Sequence, residues 1–79
     1  MKIYQLKEYS ELDLVEGFEA ERTGMVRGWR MVIRIKGASS GKVLVTAKGE
    51  PREFATVDTL IETFSEATGL DVPAIVYRV

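Results

Sequence analysis

The alternation of apolar and polar side chains over residues 29–36 constrains the fold more than any other feature of this sequence. Apolar side chains occupy every second position, at Trp29, Met31, Ile33 and Ile35. The positions between them are mainly cationic, at Arg30, Val32, Arg34 and Lys36. A period of two with one apolar face is typical of a half-buried strand in an antiparallel sheet.

Two further strands are predicted to follow, so that the central part of the chain forms a three-stranded meander. The small residues 37–41 have the length and composition of a hairpin turn. Residues 42–48 then alternate as a return strand. Residues 48–51 form a second turn, in which the proline has no N–H to give to a ladder. Residues 52–55 are predicted as the third, short strand.

A helix is predicted directly after the meander. Thr56 is a good N-cap, because its hydroxyl can accept the N–H of the second or third helical residue, and Asp58 stands in the first turn. Gly69 is placed just after the helix, where a positive φ is needed. Apolar residues recur at the spacings of one helix face, at Val57, Leu60, Ile61, Phe64 and Ala67.

The two ends of the chain are predicted to add strands to the same sheet. Residues 1–6 alternate weakly and are interpreted as a short strand, and residues 74–79 as the last strand. Ser10 has the character of a helix N-cap, and the apolar spacing that follows it favours a first helix. A strand within residues 10–22 stays open as the alternative.

The predicted order of elements is therefore β-α-β-β-β-α-β. This order describes an α+β, two-layer domain, in which one or two helices pack on one face of an antiparallel sheet. The basic meander forms the centre of that sheet and the terminal strands extend it. With a length of 79 residues, the chain is expected to form a single domain over residues 1–79.

The composition argues against catalysis. The sequence contains no cysteine and no histidine, so it lacks a thiol nucleophile, the commonest general base and the commonest metal ligands. We therefore expect no enzyme activity, no cofactor and no metal site. No run approaches the ~20 apolar residues of a membrane span, and residues 1–6 are too polar for a signal peptide. We expect a cytoplasmic protein without a membrane partner.

Charge is unevenly distributed along the chain, although the formal net charge is −1. Residues 1–21 carry two lysines and six acids, which give −4. Residues 22–52 carry eight basic residues and one acid, which give +7. Residues 53–79 carry five acids and one arginine, which again give −4. The predicted meander is therefore cationic, and the predicted helices are acidic.

This distribution predicts a cationic sheet face as the candidate binding site. Whether its basic residues share one face depends on the strand order, which the sequence does not establish. The same residue types are also typical of a solvated face that discourages edge-to-edge aggregation. The residues expected to contact phosphates or acidic side chains are Arg30, Arg34, Lys36, Lys42, Lys48 and Arg52.

Residues 28–33 read GWRMVI, residues 43–54 read VLVTAKGEPREF, and residues 57–59 read VDT. These segments resemble the W-R-x-V strand, the L-A-T-x-R-G-x-P-R-x-F hairpin segment and the L-D-x-A helix start of small plasmid-borne ParC-like partition-associated proteins. The resemblance covers residues 28–64, with Lys48 in place of the arginine and Leu60 in place of the alanine. It implies a mobile-element setting and an accessory role, and it transfers no catalytic residue.

We therefore predict a small non-enzymatic accessory or regulatory protein of a mobile genetic element, a plasmid or a phage, that binds DNA or a nucleoprotein complex. One alternative is an anti-CRISPR-like inhibitor that binds a host protein complex. A second alternative is a homodimer that pairs through an exposed strand edge. The inhibitor would act through acidic helix faces that include Glu16, Glu19, Glu62 and Glu66.

Overall fold

The computed structural model describes residues 1–22, 28–69 and 76–78. Within them, two helices pack on one face of a five-stranded sheet, which confirms the predicted α+β two-layer class. The elements in chain order are α1 (Ile3–Glu11), β1 (Val15–Arg22), β2 (Trp29–Ile35), β3 (Lys42–Val43), β4 (Glu53–Phe54), α2 (Val57–Thr68) and β5 (Val76–Arg78).

Strand β2 organises the sheet, because three other strands pair with it. It lies antiparallel to β1 along its whole length. On its other side, β3 pairs with Val32 and Ile33, and β4 pairs with Trp29 and Arg30. Strand β5 lies parallel to β1 at the opposite edge, so the predicted antiparallel sheet gains one parallel strand.

The strand predicted over residues 1–6 is wrong, because residues 3–11 form helix α1. Ile3 and Leu6 are three residues apart and both pack into the core, with Leu6 fully buried. The side-chain Oε1 of Gln5 accepts a hydrogen bond from the backbone N–H of Lys2 at 2.8 Å, which satisfies a donor before the first turn. The helix ends where Asp13 adopts a left-handed conformation, at φ 58°.

The helix predicted after Ser10 is also wrong, and the strand alternative is confirmed as β1. A β-bulge between Val15 and Gly17 inserts an extra residue, so Val15 and Phe18 both point into the core although they are three residues apart. The bulge therefore imitates helical spacing. Ser10 is in the last turn of α1, where its hydroxyl donates to the carbonyl of Thr68 at the end of α2.

The other predicted elements are confirmed with shorter strands, but the three central strands do not form the predicted meander, because β4 pairs with β2 rather than with β3. The return strand covers Lys42–Val43 rather than residues 42–48, after which an isolated bridge joins Val45 to Pro51. The third strand is β4. Strand β5 falls within the predicted residues 74–79, of which 74, 75 and 79 lie outside the described part of the chain.

Helix α2 has the predicted ends. The hydroxyl of Thr56 accepts the N–H of Thr59 at 3.2 Å, and Gly69 follows the helix with φ 69°. Its core face carries Leu60 and Phe64, both fully buried or nearly so. The ring of Phe64 lies 4.3 Å from that of Phe18 on β1, measured between centroids. The core then continues across the sheet through Met31, Ile33, Leu44 and Phe54.

Removing the cap of α2 should destabilise the protein measurably. We expect Thr56→Ala to lower the free energy of unfolding by about 1 kcal/mol, because the Thr59 N–H loses its acceptor. Thr63→Ala is the matched control, since the Thr63 hydroxyl only donates to the carbonyl of Thr59 within the same helix. Urea unfolding measures both, and equal losses would show that the cap has no special role.

Candidate binding surface

The sheet has an open face, which is the side turned away from the two helices. In an antiparallel pair, directly opposed residues point to the same side. Side chains alternate between the two sides of a strand. Four residues of β1 and β2 point toward the helices, so the residues next to them point away. The four are Phe18, Ala20, Met31 and Ile33. Over the paired positions of β1 to β4, the open face carries Glu19, Glu21, Arg30, Val32, Arg34, Val43 and Glu53.

An ion pair between Glu19 and Arg34 lies near the centre of this open face. The two residues are diagonal neighbours, because Glu19 is opposite Val32 and Arg34 is opposite Gly17. Both Nε and Nη2 of Arg34 donate to Oε1 of Glu19, at 2.9 and 2.5 Å. Glu19 is only 7% exposed. Since charge-assisted hydrogen bonds to a buried carboxylate are strong, Arg34 is committed to a partner within the protein.

Arg30 is flanked by glutamates on both neighbouring strands. It lies opposite Glu21 on β1 and opposite Glu53 on β4. Its Nη2 is 3.9 Å from Oε1 of Glu53, a looser contact than that of Arg34. Its Nε is buried and has no hydrogen-bond partner within the described residues. The adjacent carboxylates nevertheless oppose the binding of an external anion at this position.

The structure does not assemble the cationic sheet face expected from the sequence. Across the paired positions of β1, β2 and β4, the open face holds three glutamates and two arginines. Lys36 follows β2, and its ammonium lies 3.3 Å from Oδ2 of Asp13, an exposed pair.

Gly41 packs directly against the side chain of Val32. A Cβ at position 41 would collide with that side chain. Glycine therefore allows the turn between β2 and β3 to pack against Val32 on the open face.

Lys42 is on the other side of the sheet from Arg34. It is opposite Ile33, whose side chain points toward the helices. Lys42 lines a groove of about 400 Å³ between α1 and the turn after β2, together with Met1, Gln5, Tyr9, Ile35 and Ala38.

The ammonium of Met1 donates to the carbonyl of Val43. Burial, together with the nearby charges of Lys42 and Lys2, lowers the pKa of this ammonium.

Arg52 is also on the helix side, where it lies beside α1. Its guanidinium carbon is 5.1 Å from the ring centroid of Phe54, which is buried in the core. A groove of about 260 Å³ joins Arg52 to Lys2, Ile3, Tyr4, Val45, Thr46 and Ala47. A second groove of about 170 Å³ joins it to Ile3, Lys7, Thr63, Glu66 and Ala67. Arg52 therefore stands between two adjoining grooves along α1.

We define the α1 cationic surface as Lys2, Lys7, Lys48 and Arg52. Lys48 belongs to it because it follows Ala47 in the turn that forms one wall of the larger groove. None of these four side chains is in an ion pair within the part of the chain that the structure describes. Two acids are nearby, Glu66 in the smaller groove and Glu50 in the same turn as Lys48.

Lys48 and Arg52 are among the residues predicted from the sequence, whereas Lys2 and Lys7 are not. A strand over residues 1–6 separates the two lysines, whereas a helix places Ile3 and Lys7 one turn apart on the side that meets Arg52. The missed signal was the set of good helix formers over residues 5–8, which are glutamine, leucine, lysine and glutamate.

The acidic residues of the inhibitor hypothesis are also rearranged. Glu16 and Glu19 are on strand β1 rather than on a helix, and Glu19 is buried against Arg34. Glu62 and Glu66 are exposed on α2, as expected. For the homodimer hypothesis, β3 offers a paired edge of only two residues. Edge strands this short are typical of sheets that avoid pairing with another chain.

Comparisons of the chain with protein-family models, curated proteins and solved structures found no match. The resemblance over residues 28–64 therefore stays a prediction.

Within residues 1–22, 28–69 and 76–78, no three acidic side chains form a group that could hold a metal ion. Neither helix in these segments has the length and apolar character that crossing a membrane requires.

Breaking the central ion pair should cost more stability than breaking the peripheral one. We expect Arg34→Met to lower the free energy of unfolding by about 1–3 kcal/mol, because the buried Glu19 carboxylate loses two charge-assisted hydrogen bonds. Lys36→Met, which removes the exposed contact with Asp13, should change it by less than about 0.5 kcal/mol. Chemical denaturation compares the two variants, and an equal effect would contradict the assignment of Arg34 to an internal role.

Proposed function

We propose that this chain is a small non-enzymatic accessory protein that binds DNA, alone or within a nucleoprotein complex, through the α1 cationic surface. The setting in a plasmid or phage rests on the resemblance over residues 28–64. The proposal keeps the type of partner that the charge distribution predicted. The proposed contact surface is formed by α1 and the turn over residues 46–50, and not by the open face of the sheet.

One observation carries the proposal, which is that four cations without an ion pair among the described residues lie together beside α1, while both arginines of β2 face carboxylates. Lys2 and Arg52 line one groove, and Lys7 and Arg52 line the next. An anionic partner would bring phosphates to side chains that have no carboxylate to release first. Neutralising several phosphates also frees condensed counterions, which is the main source of sequence-independent affinity for DNA.

Arg52 is the best positioned of these cations. Its guanidinium is held near the buried ring of Phe54, at 5.1 Å, so its orientation is partly fixed before a partner binds. A guanidinium that is fixed in this way pairs with phosphate oxygens at a lower entropic cost than a flexible ammonium. Lys2, Lys7 and Lys48 would add point charges on either side of it.

A second candidate function is inhibition by binding to a host protein. Asp58, Glu62 and Glu66 are exposed on α2 at intervals of four residues, which places them in one row along the helix. Such a row would suit a basic protein surface that normally receives nucleic acid. This function predicts no affinity for DNA, so the experiment below separates the two candidates.

The α1 cationic surface should bind DNA with a steep dependence on salt. Fluorescence anisotropy of labelled DNA, supplied as a duplex and as a single strand, gives the affinity between about 50 and 200 mM salt. We expect Arg52→Gln and Lys48→Gln each to weaken binding. Each should also lower the slope of log K against log salt by roughly 0.7 to 0.9, because one phosphate contact is lost.

Lys36→Gln is the matched control for this experiment. It removes the same formal charge, but Lys36 is paired with Asp13 and is not part of the α1 cationic surface. Its affinity and salt slope should equal those of the unmodified protein. A loss as large as that of Arg52→Gln would show that net charge alone governs binding. Absence of binding to either form of DNA at low salt would refute the proposal.

A further inference from the structure

We infer that the α1 cationic surface prefers single-stranded nucleic acid to a duplex, with Tyr4 as the platform on which a base stacks. This inference rests on the proposed function and names its substrate class. Its starting point is Tyr4, which is 55% exposed on α1 although it carries a large aromatic ring. Exposed aromatic rings among cations are a recurrent feature of surfaces that bind single strands.

The groove beside Tyr4 combines an apolar lining with a cationic rim. Ile3, Val45 and Ala47 contribute aliphatic side chains to it, and Tyr4 contributes the ring. Lys2 and Arg52 contribute the two charges. Among the described residues, no acidic side chain lines this groove, in contrast to the smaller groove, which contains Glu66. An unpaired nucleotide has the complementary character, because its base has apolar faces and its phosphate is anionic.

A duplex would use only part of this arrangement. Its bases are stacked on one another inside the helix, so their faces are not available to a tyrosine ring on a protein surface. It would reach Lys2 and Arg52 with phosphates and leave Tyr4 and the aliphatic lining in contact with water. A single strand can turn one base into the groove and still place its phosphates against the cations.

The second groove extends the same path along the helix. Ile3 and Arg52 line both grooves, and Lys7 lies in the second one, one helical turn after Ile3. A strand with a base on Tyr4 would therefore bring an adjacent phosphate past Arg52 toward Lys7. Tyr9 is also exposed on α1, but it lines the groove of Lys42 between α1 and the turn after β2. This difference makes Tyr9 a useful control.

The test compares a thymidine oligonucleotide with a DNA hairpin duplex that has the same number of phosphates. Fluorescence anisotropy at one fixed low salt concentration measures both affinities for the intact chain. We expect tighter binding of the single strand. Tyr4→Leu should weaken that binding by about 5- to 150-fold, as expected for the loss of one stacked base, and leave duplex binding unchanged.

Two further variants and a folding measurement complete the design. Tyr4→Phe keeps the ring and should retain the preference for the single strand. Tyr9→Leu removes an exposed ring outside the groove and should have no effect on it. Thermal unfolding followed by circular dichroism shows whether each variant is folded. We expect all three variants to fold, because Tyr4 and Tyr9 are both exposed.

The outcomes separate this inference from the proposed function. Duplex binding as tight as single-strand binding, or an unchanged single-strand affinity in Tyr4→Leu, would overturn the stacking role and leave a DNA-binding surface in place. Equal losses in Tyr4→Leu and Tyr9→Leu would overturn the assignment of the groove. Failure of the unmodified protein to bind either oligonucleotide would overturn the proposed function together with this inference.

Discussion

The ion pair between Glu19 and Arg34 occupies the arginine at the centre of the open face, so this side chain is not available to an external partner. It exists because the register of β1 and β2 places the two residues diagonally on the open face. A register shifted by one residue would turn one of the two side chains toward the apolar core and separate the pair. With this register, the arginines of β2 face glutamates of β1 and β4. Among the described residues, the four cations of the α1 cationic surface have no ion pair, and the proposed binding surface rests on that difference from the arginines of β2.

The central and C-terminal parts of the fold could be predicted because local signals there agree with the final structure. Alternation over residues 29–36 sets strand β2, and Thr56 and Gly69 set the ends of α2. The N-terminal third could not be predicted in the same way. Residues 1–6 are too few to distinguish two periodicities, and the bulge between Val15 and Gly17 imitates the spacing of a helix. Only the pairing with β2 resolves that ambiguity.

The candidate site was less predictable than the fold, because it depends on contacts between distant parts of the chain. Arg30 and Arg34 look like free cations in the sequence, and only the strand register reveals the glutamates opposite or diagonal to them. Lys42 and Arg52 alternate with apolar residues, yet they turn out to line grooves beside α1. Lys2 and Lys7 join Arg52 only when residues 3–11 are a helix. Charge counts along the sequence therefore do not identify the surface on which the unpaired cations lie.

The position of the binding surface is the central claim, and the arginine side-chain signals in an NMR titration test it most directly. Adding a thymidine oligonucleotide to the labelled protein should shift the Nε–Hε signal of Arg52, along with backbone amides of residues 2–7 and 46–50. The signals of Arg30 and Arg34 should stay in place, because both arginines face carboxylates within the sheet. Shifts concentrated on Arg30 and Arg34, with Arg52 unchanged, would contradict the account and return the binding site to the open face.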